Sequence, residues 1–228
     1  MPTLSSPDSS TPSRISVRAL LFDLDGVILD STNDAILRWR AFSARHNLVA
    51  QEVLSVAHGQ RTIDTISSYV PSELVDDEVA WFDSLEGDQN MISALPGARS
   101  LLVSLPPESW CIVTSCPRDL AISRLIAQNI PVPRVLVSAD DVSEGKPSPA
   151  PYLMGLSALG VKATDAVVFE DAPSGITSAS SAHIPVVALL TTHSPHALSA
   201  PYYVNDLSCV TVASSLSGAI DLDLRLAL

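Results

Sequence analysis

Cations are scarce in this chain: 13 lysines and arginines stand against 25 aspartates and glutamates, a formal net charge of −12. A surface of that sign repels phosphate backbones and anionic lipid heads, so neither nucleic acid nor a membrane is expected as a partner. Long apolar runs are missing as well. Nothing approaches the roughly 20 residues that span a bilayer, and the run at residues 184–190 has the length of a buried strand. Cysteine is limited to Cys111, Cys116 and Cys209, without CxxC spacing, which excludes a disulfide framework and fits a reducing, cytoplasmic setting. The first residues lack the basic start and apolar core of a secretory signal. Residues 1–16 are instead rich in Ser, Pro and Thr, cannot offset their ordering entropy by burial, and are expected to form a disordered tail. Internal repeats are absent, and a monomer is the default expectation.

What remains is a globular composition, 46% hydrophobic over 228 residues, enough for one sizeable core and a smaller added unit. Short apolar runs at residues 17–22, 111–114, 135–137, 166–169 and 185–190 alternate with segments of helical spacing, such as 120–127 and 152–159. Strands apolar on both faces and separated by helices predict a parallel sheet covered on both sides. The expected fold class is α/β, a doubly wound, Rossmann-like core. Residues 32–95 break the rhythm. They carry helical patterns at 35–42, 63–69 and 79–85 and no convincing buried strand, and Pro96-Gly97 punctuates the return. The expected organisation is therefore a core of residues 17–31 and 96–228 with a helical cap, 32–95, inserted after the first strand.

Ligands of such sheets sit beyond the carboxyl ends of the strands, so the polar residues that follow each apolar run are the candidates. Asp23-Leu24-Asp25-Gly26-Val27 follows Phe22. A pair of carboxylates there reads either as an ordinary turn or as a nucleophile beside a general acid/base, with Gly26 allowing the tight bend. Thr114-Ser115 offers a hydroxyl and a backbone N–H to a phosphoryl oxygen, or a plain helix cap. Lys146, between Gly145 and Pro147, reads as a solvated loop residue or as a cation offsetting repulsion between anions. Glu170-Asp171, adjacent carboxylates at the end of a buried run, would repel each other unless a cation binds, and Mg2+ favours such oxygen ligands.

In this order the four pieces resemble the motifs of the haloacid dehalogenase-like hydrolases, over nearly the whole chain after Val17. The small-helical-cap branch, which includes fungal 2-deoxyglucose-6-phosphate and glycerol phosphate phosphatases, is similar in several stretches. These are His58-Gly59-Gln60-Arg61-Thr62-Ile63-Asp64, Ser138-Ala139-Asp140-Asp141-Val142, Phe169-Glu170-Asp171-Ala172-Pro173-Ser174-Gly175-Ile176 and Thr191-Thr192-His193. The resemblance implies that Asp23 is the nucleophile of an aspartyl-phosphate mechanism and Asp25 the general acid/base. It further implies that Thr114 and the Ser115 backbone grip the phosphoryl group, and that Lys146 neutralises charge. Mg2+ would be held by Asp23, the Asp25 carbonyl and Asp171, with Glu170 as a ligand or an acid behind it. Arg61 and Thr62 match the cap loop that meets substrate in relatives. Cys116-Pro117 departs from the pattern, where relatives place Gly and then Thr or Ser.

The implied activity is hydrolysis of a small phosphate monoester, with sugar and polyol phosphates as first candidates. The rival is a sugar phosphomutase of the β-phosphoglucomutase type, which shares the same start and acidic pair. His46, His58, His183, His193 and His196 show no metal-ligand spacing on a common helix face and are read as structural or solvent-facing. Cys116 lacks an activating partner and is not read as a nucleophile.

Overall fold

The sheet that positions the site is built on Ala19–Phe22 (β2), four residues without measurable exposure. Leu20 and Phe22 face one apolar cluster, Ala19 and Leu21 the other, so the strand is buried on both faces. A computed structural model describes residues 13–85, 91–216 and 218–227. In it, β2 pairs in parallel with Trp110–Val113 (β5) on one side and Ala166–Glu170 (β7) on the other. Leu136–Val137 (β6), Val186–Leu189 (β8) and Tyr202–Val204 (β9) extend the sheet to six strands, ordered β6-β5-β2-β7-β8-β9 and all parallel. The chain winds from β2 outward to β5 and β6, then returns across β2 to β7. That reversal opens a crevice beyond the carboxyl ends of β2, β5 and β7.

Helices cover both faces, as sequential parallel strands require. Ala98–Ser104 (α5) and Arg118–Ala127 (α6) pack with the cluster that contains Leu101, Leu102 and Leu125. Ala150–Leu159 (α7) and Pro173–Ser181 (α8) pack with Tyr152, Leu156, Ile176 and Ala179. Gly160, in the left-handed region at φ 67°, closes α7, where a side chain would be strained.

Among the described residues between β2 and α5 lie four α-helices with their own apolar core: Thr32–Arg45 (α1), Ala50–Ala57 (α2), Thr62–Ile66 (α3) and Val75–Ser84 (α4). Trp39, Phe42, Val53, Ile66 and Phe82 fill that second core. The stalk is a two-residue ribbon, Leu29–Asp30 (β3) antiparallel to Ser93–Ala94 (β4). The third helix ends at Ile66, short of the span expected from spacing; turns follow, and Pro71 bars a continuing helix.

The tail expected at residues 1–16 needs correction at its end. Residues 1–12 lie outside the described residues, but Ser13–Val17 forms a strand (β1). It pairs antiparallel with Ala219–Leu224 (β11), setting Ile15 opposite Leu222 and Val17 opposite Ile220. Arg14 places its guanidinium on Asp223, at 2.6 and 2.8 Å. Val210–Leu216 (β10) completes this separate three-stranded sheet, which packs its apolar face on the α5 side of the core. The partner of β1 lies some two hundred residues away, and composition alone carries no trace of it.

Candidate active site

Each strand end delivers one part of the site. The Asp23 amide donates to the Phe169 carbonyl at 3.0 Å, carrying the β2–β7 ladder one step past Phe22 and fixing where the carboxylate emerges. Asp23 is buried, and its Oδ1 accepts from Lys146 Nζ at 2.6 Å. The same ammonium donates to Glu170 Oε1 at 2.7 Å. Lys146 thus neutralises two carboxylates inside the protein. Burial drives Asp23 well above the usual carboxylate range; Lys146 opposes the rise, while Glu170 and Asp171 add to it. Burial alone would lower the Lys146 ammonium, but Asp23 and Glu170 outweigh it and hold the group above its ordinary value.

Glu170 has no spare lone pair for a further ligand. Oε1 also accepts from the Tyr152 hydroxyl at 2.8 Å, and Oε2 accepts from the Asp171 and Ala172 amides at 3.0 and 3.1 Å. Burial, with the Glu170 charge beside it, keeps the Tyr152 hydroxyl far from ionising. Gly175 closes this corner: a Cβ there would stand 1.7 Å from Glu170 Oε1, so only glycine lets α8 approach.

Asp171 is different. Its Oδ2 is met by His58 Nε2 at 2.9 Å and by the Thr192 hydroxyl, while Oδ1 is buried without a hydrogen-bond partner. One carboxylate oxygen each from Asp23, Glu170 and Asp171 falls within 4.8 Å of the others. With Glu170 saturated by its four donors, Asp23 and Asp171, the latter with its orphaned buried oxygen, are the carboxylates open to a hard cation, and the all-oxygen donor set suits Mg2+.

Asp25 stands at the mouth. Its Oδ1 accepts from Ser31 Oγ at 2.6 Å and from Arg124 Nη1 at 3.1 Å, and among the described residues no partner is recorded for Oδ2. Arg124 also binds Asp34 on α1 at 2.8 Å, tying the core helix α6 to the cap. Thr114 is buried at the end of β5; its hydroxyl oxygen accepts from the Cys116 amide at 3.0 Å and keeps its own proton to donate. Ser115 Oγ is turned onto the Gly59 carbonyl at 2.9 Å, which leaves its backbone N–H as the group nearer the expected role.

A cavity of about 160 Å³ lies between cap and core. Asp23, Asp25, Thr114, Ser115 and Arg124 line it from the core, and His58, Gln60, Thr62, Arg38, Trp39 and Phe82 from the cap. Arg61 is not among its walls. The guanidinium is paired with Asp64 at 2.7 Å and donates to the Val142 and Ser143 carbonyls at 2.7 and 2.9 Å, so it straps cap to core. Its neighbour Thr62, at the start of α3, does face the cavity.

Nine residues singled out from the sequence are therefore placed as follows. Asp23, Lys146, Glu170 and Asp171 meet in one buried cluster; Asp25, Thr114, Ser115 and Thr62 border the adjoining cavity; Arg61 stands aside. Sequence reasoning missed Tyr152, Ser31, Asp34, Arg38 and Arg124, and it set His58 aside. None has a local signal, because each acquires its partner through the fold. The exception is the His58-Gly59 stretch, which already stood among the quoted motifs.

Residues 20–189 match the family model described as haloacid dehalogenase-like hydrolase. Among characterised proteins the chain is similar to hexitol phosphatase A of Escherichia coli, 36% identical over 75% of this chain and 82% of the relative. It is also similar to glycerol-1-phosphate phosphohydrolase 1 of Saccharomyces cerevisiae, 34% identical over 82% of this chain and 80% of that one. Among solved structures, a Bacteroides vulgatus protein provisionally assigned as a β-phosphoglucomutase superimposes with a TM-score of 0.74 at 25% identity, over 84% of each chain.

Proposed function

The chain belongs to the haloacid dehalogenase-like hydrolases, and from that premise we propose that it hydrolyses a sugar or polyol phosphate by way of an aspartyl-phosphate on Asp23. The observation that carries the proposal is the buried Lys146–Asp23 contact at 2.6 Å, opening on a cavity bordered by Asp25 and Thr114. A carboxylate attacks well only when it is ionised, desolvated and aimed; burial desolvates Asp23, and the adjacent ammonium opposes the rise in pKa that burial brings and holds Oδ1 in place.

In the first step an Asp23 oxygen forms a bond to phosphorus as the ester P–O bond breaks, and Asp25 gives its proton to the departing alkoxide. In the second, Asp25 takes a proton from water, which attacks the phosphorus, releases phosphate and regenerates Asp23. Thr114, through its hydroxyl proton, and the Ser115 amide steady the phosphoryl oxygens; Lys146 offsets the charge between nucleophile and substrate. Ser31 and Arg124 hold Asp25 Oδ1, so that Oδ2 is the oxygen left to exchange the proton. Asp23 and Asp171, with the Asp25 carbonyl, would hold Mg2+, which would supply positive charge against the phosphoryl oxygens. Glu170, whose oxygens are taken by four donors, acts from behind by fixing Lys146 and the start of α8.

Leaving-group choice falls to the cap side. Asp34, Asp83, Gln60 and Thr62 offer hydrogen-bond partners for hydroxyls, and Trp39 and Phe82 offer apolar faces. This mixture fits a polyhydroxylated, uncharged moiety, in keeping with the names borne by the relatives.

The test is phosphate release from hexitol, glycerol, 2-deoxyglucose and glycolate phosphates, with Mg2+ and with EDTA, beside Asp23→Asn. Metal-dependent release, strongest for the polyol and sugar esters and lost in the variant, supports the proposal. Isomerisation of a sugar phosphate without net release would instead favour the mutase reading that the Bacteroides neighbour raises.

A further inference from the structure

His58 belongs to the cap and His193 to the loop after β8, yet their rings lie 4.9 Å apart across Asp171. Neither histidine has a part in the phosphoryl transfer proposed above. A ligand atom from each of His58, Asp171 and His193 falls within 4.8 Å of the other two. We propose that these three residues form a second metal site, for zinc or another borderline divalent transition metal, closing across the cap–core junction.

Three features support it. The donor set is two imidazoles and a carboxylate, which suits zinc and is a poor match to Mg2+, whose ligands are oxygens. The loop carrying His58 is fastened to the core: Ser174 Oγ donates to the His58 carbonyl at 3.2 Å, and Ser115 Oγ to the Gly59 carbonyl at 2.9 Å. A Cβ on Gly59 would come within 2.4 Å of Ser174 Oγ, so the loop lies directly on the start of α8. Finally, His193 Nδ1 is 3.1 Å from the Asp171 carbonyl and 3.0 Å from Thr192 Oγ1. Metal-binding histidines are commonly held by such a backbone carbonyl through the ring nitrogen that does not bind.

The consequence is competition. Asp171 is common to this cluster and to the Asp23–Glu170–Asp171 group, so the second site rests on the phosphatase reading only in predicting inhibition. Zinc bound to His58, Asp171 and His193 draws the Asp171 carboxylate away from the hydrolytic site and ties the cap down, and both slow turnover.

Zinc binding to the full chain is measured by competition with a chromogenic chelator, with Co2+ spectra as a second probe of nitrogen ligation. His58→Ala and His193→Ala are compared with the wild type, each checked for an unchanged melting profile in EDTA. The expected result is one zinc bound per chain, at least tenfold weaker in each variant, with loss of the wild-type Co2+ visible bands. Two variants on separate loops guard against a folding defect in either. Equal zinc affinity in wild type and both variants overturns the proposal and leaves His58 as a hydrogen-bond partner of Asp171 only. Mg2+-dependent turnover is assayed separately in zinc-free buffer, so a failure of the phosphatase reading appears there and not in the zinc titration.

Discussion

Lys146 Nζ lies 2.6 Å from Asp23 Oδ1 and 2.7 Å from Glu170 Oε1, and all three side chains are buried. One ammonium therefore balances two carboxylates contributed by strands that neighbour each other in the sheet. Lys146→Met leaves both uncompensated. The expected cost is about 3–5 kcal/mol of stability, as for removing one partner of a buried pair. Turnover should also fall by roughly 10²–10³-fold, the size of effect seen when a preorganised charge-stabilising group is lost. Lys146→Arg should not rescue, since a planar guanidinium does not fit a position shaped for a compact ammonium. Chemical denaturation and steady-state assays read the two effects separately.

Asp25 is tested through the leaving group. A general acid matters most when the departing alkoxide is a strong base and least when it is an aryl oxide. Asp25→Asn is expected to reduce kcat for a polyol phosphate by roughly 10²–10⁴-fold, while an aryl phosphate loses much less in the first step. Equal losses for both esters in single-turnover phosphorylation would assign Asp25 another role. Arg124→Met, which removes one of the two groups holding Asp25, should lie between wild type and Asp25→Asn.

Gly175 reports on Glu170. Any Cβ at this position collides with the Glu170 carboxylate, at 1.7 Å from Oε1. Gly175→Ala in an ordinary helix would gain up to about 1 kcal/mol; here it should destabilise and lower turnover by displacing the partner of Lys146. A stabilised, fully active variant would show that Glu170 can move without consequence.

The cap carries a pH-dependent anchor. Glu78 on α4, with a side chain nine-tenths buried, accepts from Arg45 at 3.0 Å and meets His46 at 2.9 Å. Burial alone would raise its pKa, but the bonds from His46 and Arg45 outweigh that and bring it below the usual value. A lowered folded pKa means the stabilisation is present above the ordinary glutamate value of about 4.3 and is lost as pH falls through the folded value. Glu78→Gln should therefore cost about 1–3 kcal/mol at pH 7 and progressively less on acidification towards pH 3, read from urea melts at each pH.

The parts of this protein that local pattern dictates were legible in its sequence. Runs such as Leu20-Leu21-Phe22 and Val167-Val168-Phe169 are apolar on both faces, which only a doubly covered parallel sheet accommodates. Because ligands collect where such strands end, Asp23, Thr114 and the Glu170-Asp171 pair could be picked out by position before any contact was known. Lys146 rests on less, since a loop lysine gains meaning only when the fold carries it 2.6 Å from Asp23. The three-stranded sheet escaped notice for the opposite reason. The Asp-Leu alternation in residues 219–224 marks a half-buried strand, yet its partner Ser13–Val17 adjoins a stretch whose composition suggests a tail. Arg61 lies apart from the cavity walls. Its place in the sequence agrees with a substrate-facing loop, while its guanidinium is committed to Asp64 and to the Val142 and Ser143 carbonyls.

Direct observation of the phosphoenzyme tests the central claim most closely. A polyol phosphate that turns over is mixed with excess enzyme and Mg2+, quenched in acid within the first turnover, and the digested protein is analysed by mass spectrometry. The mass of one phosphoryl group is expected on the peptide that contains Asp23, absent in Asp23→Asn and decaying as phosphate appears. A phosphoryl group on any other residue, or undiminished turnover by Asp23→Asn, would contradict it.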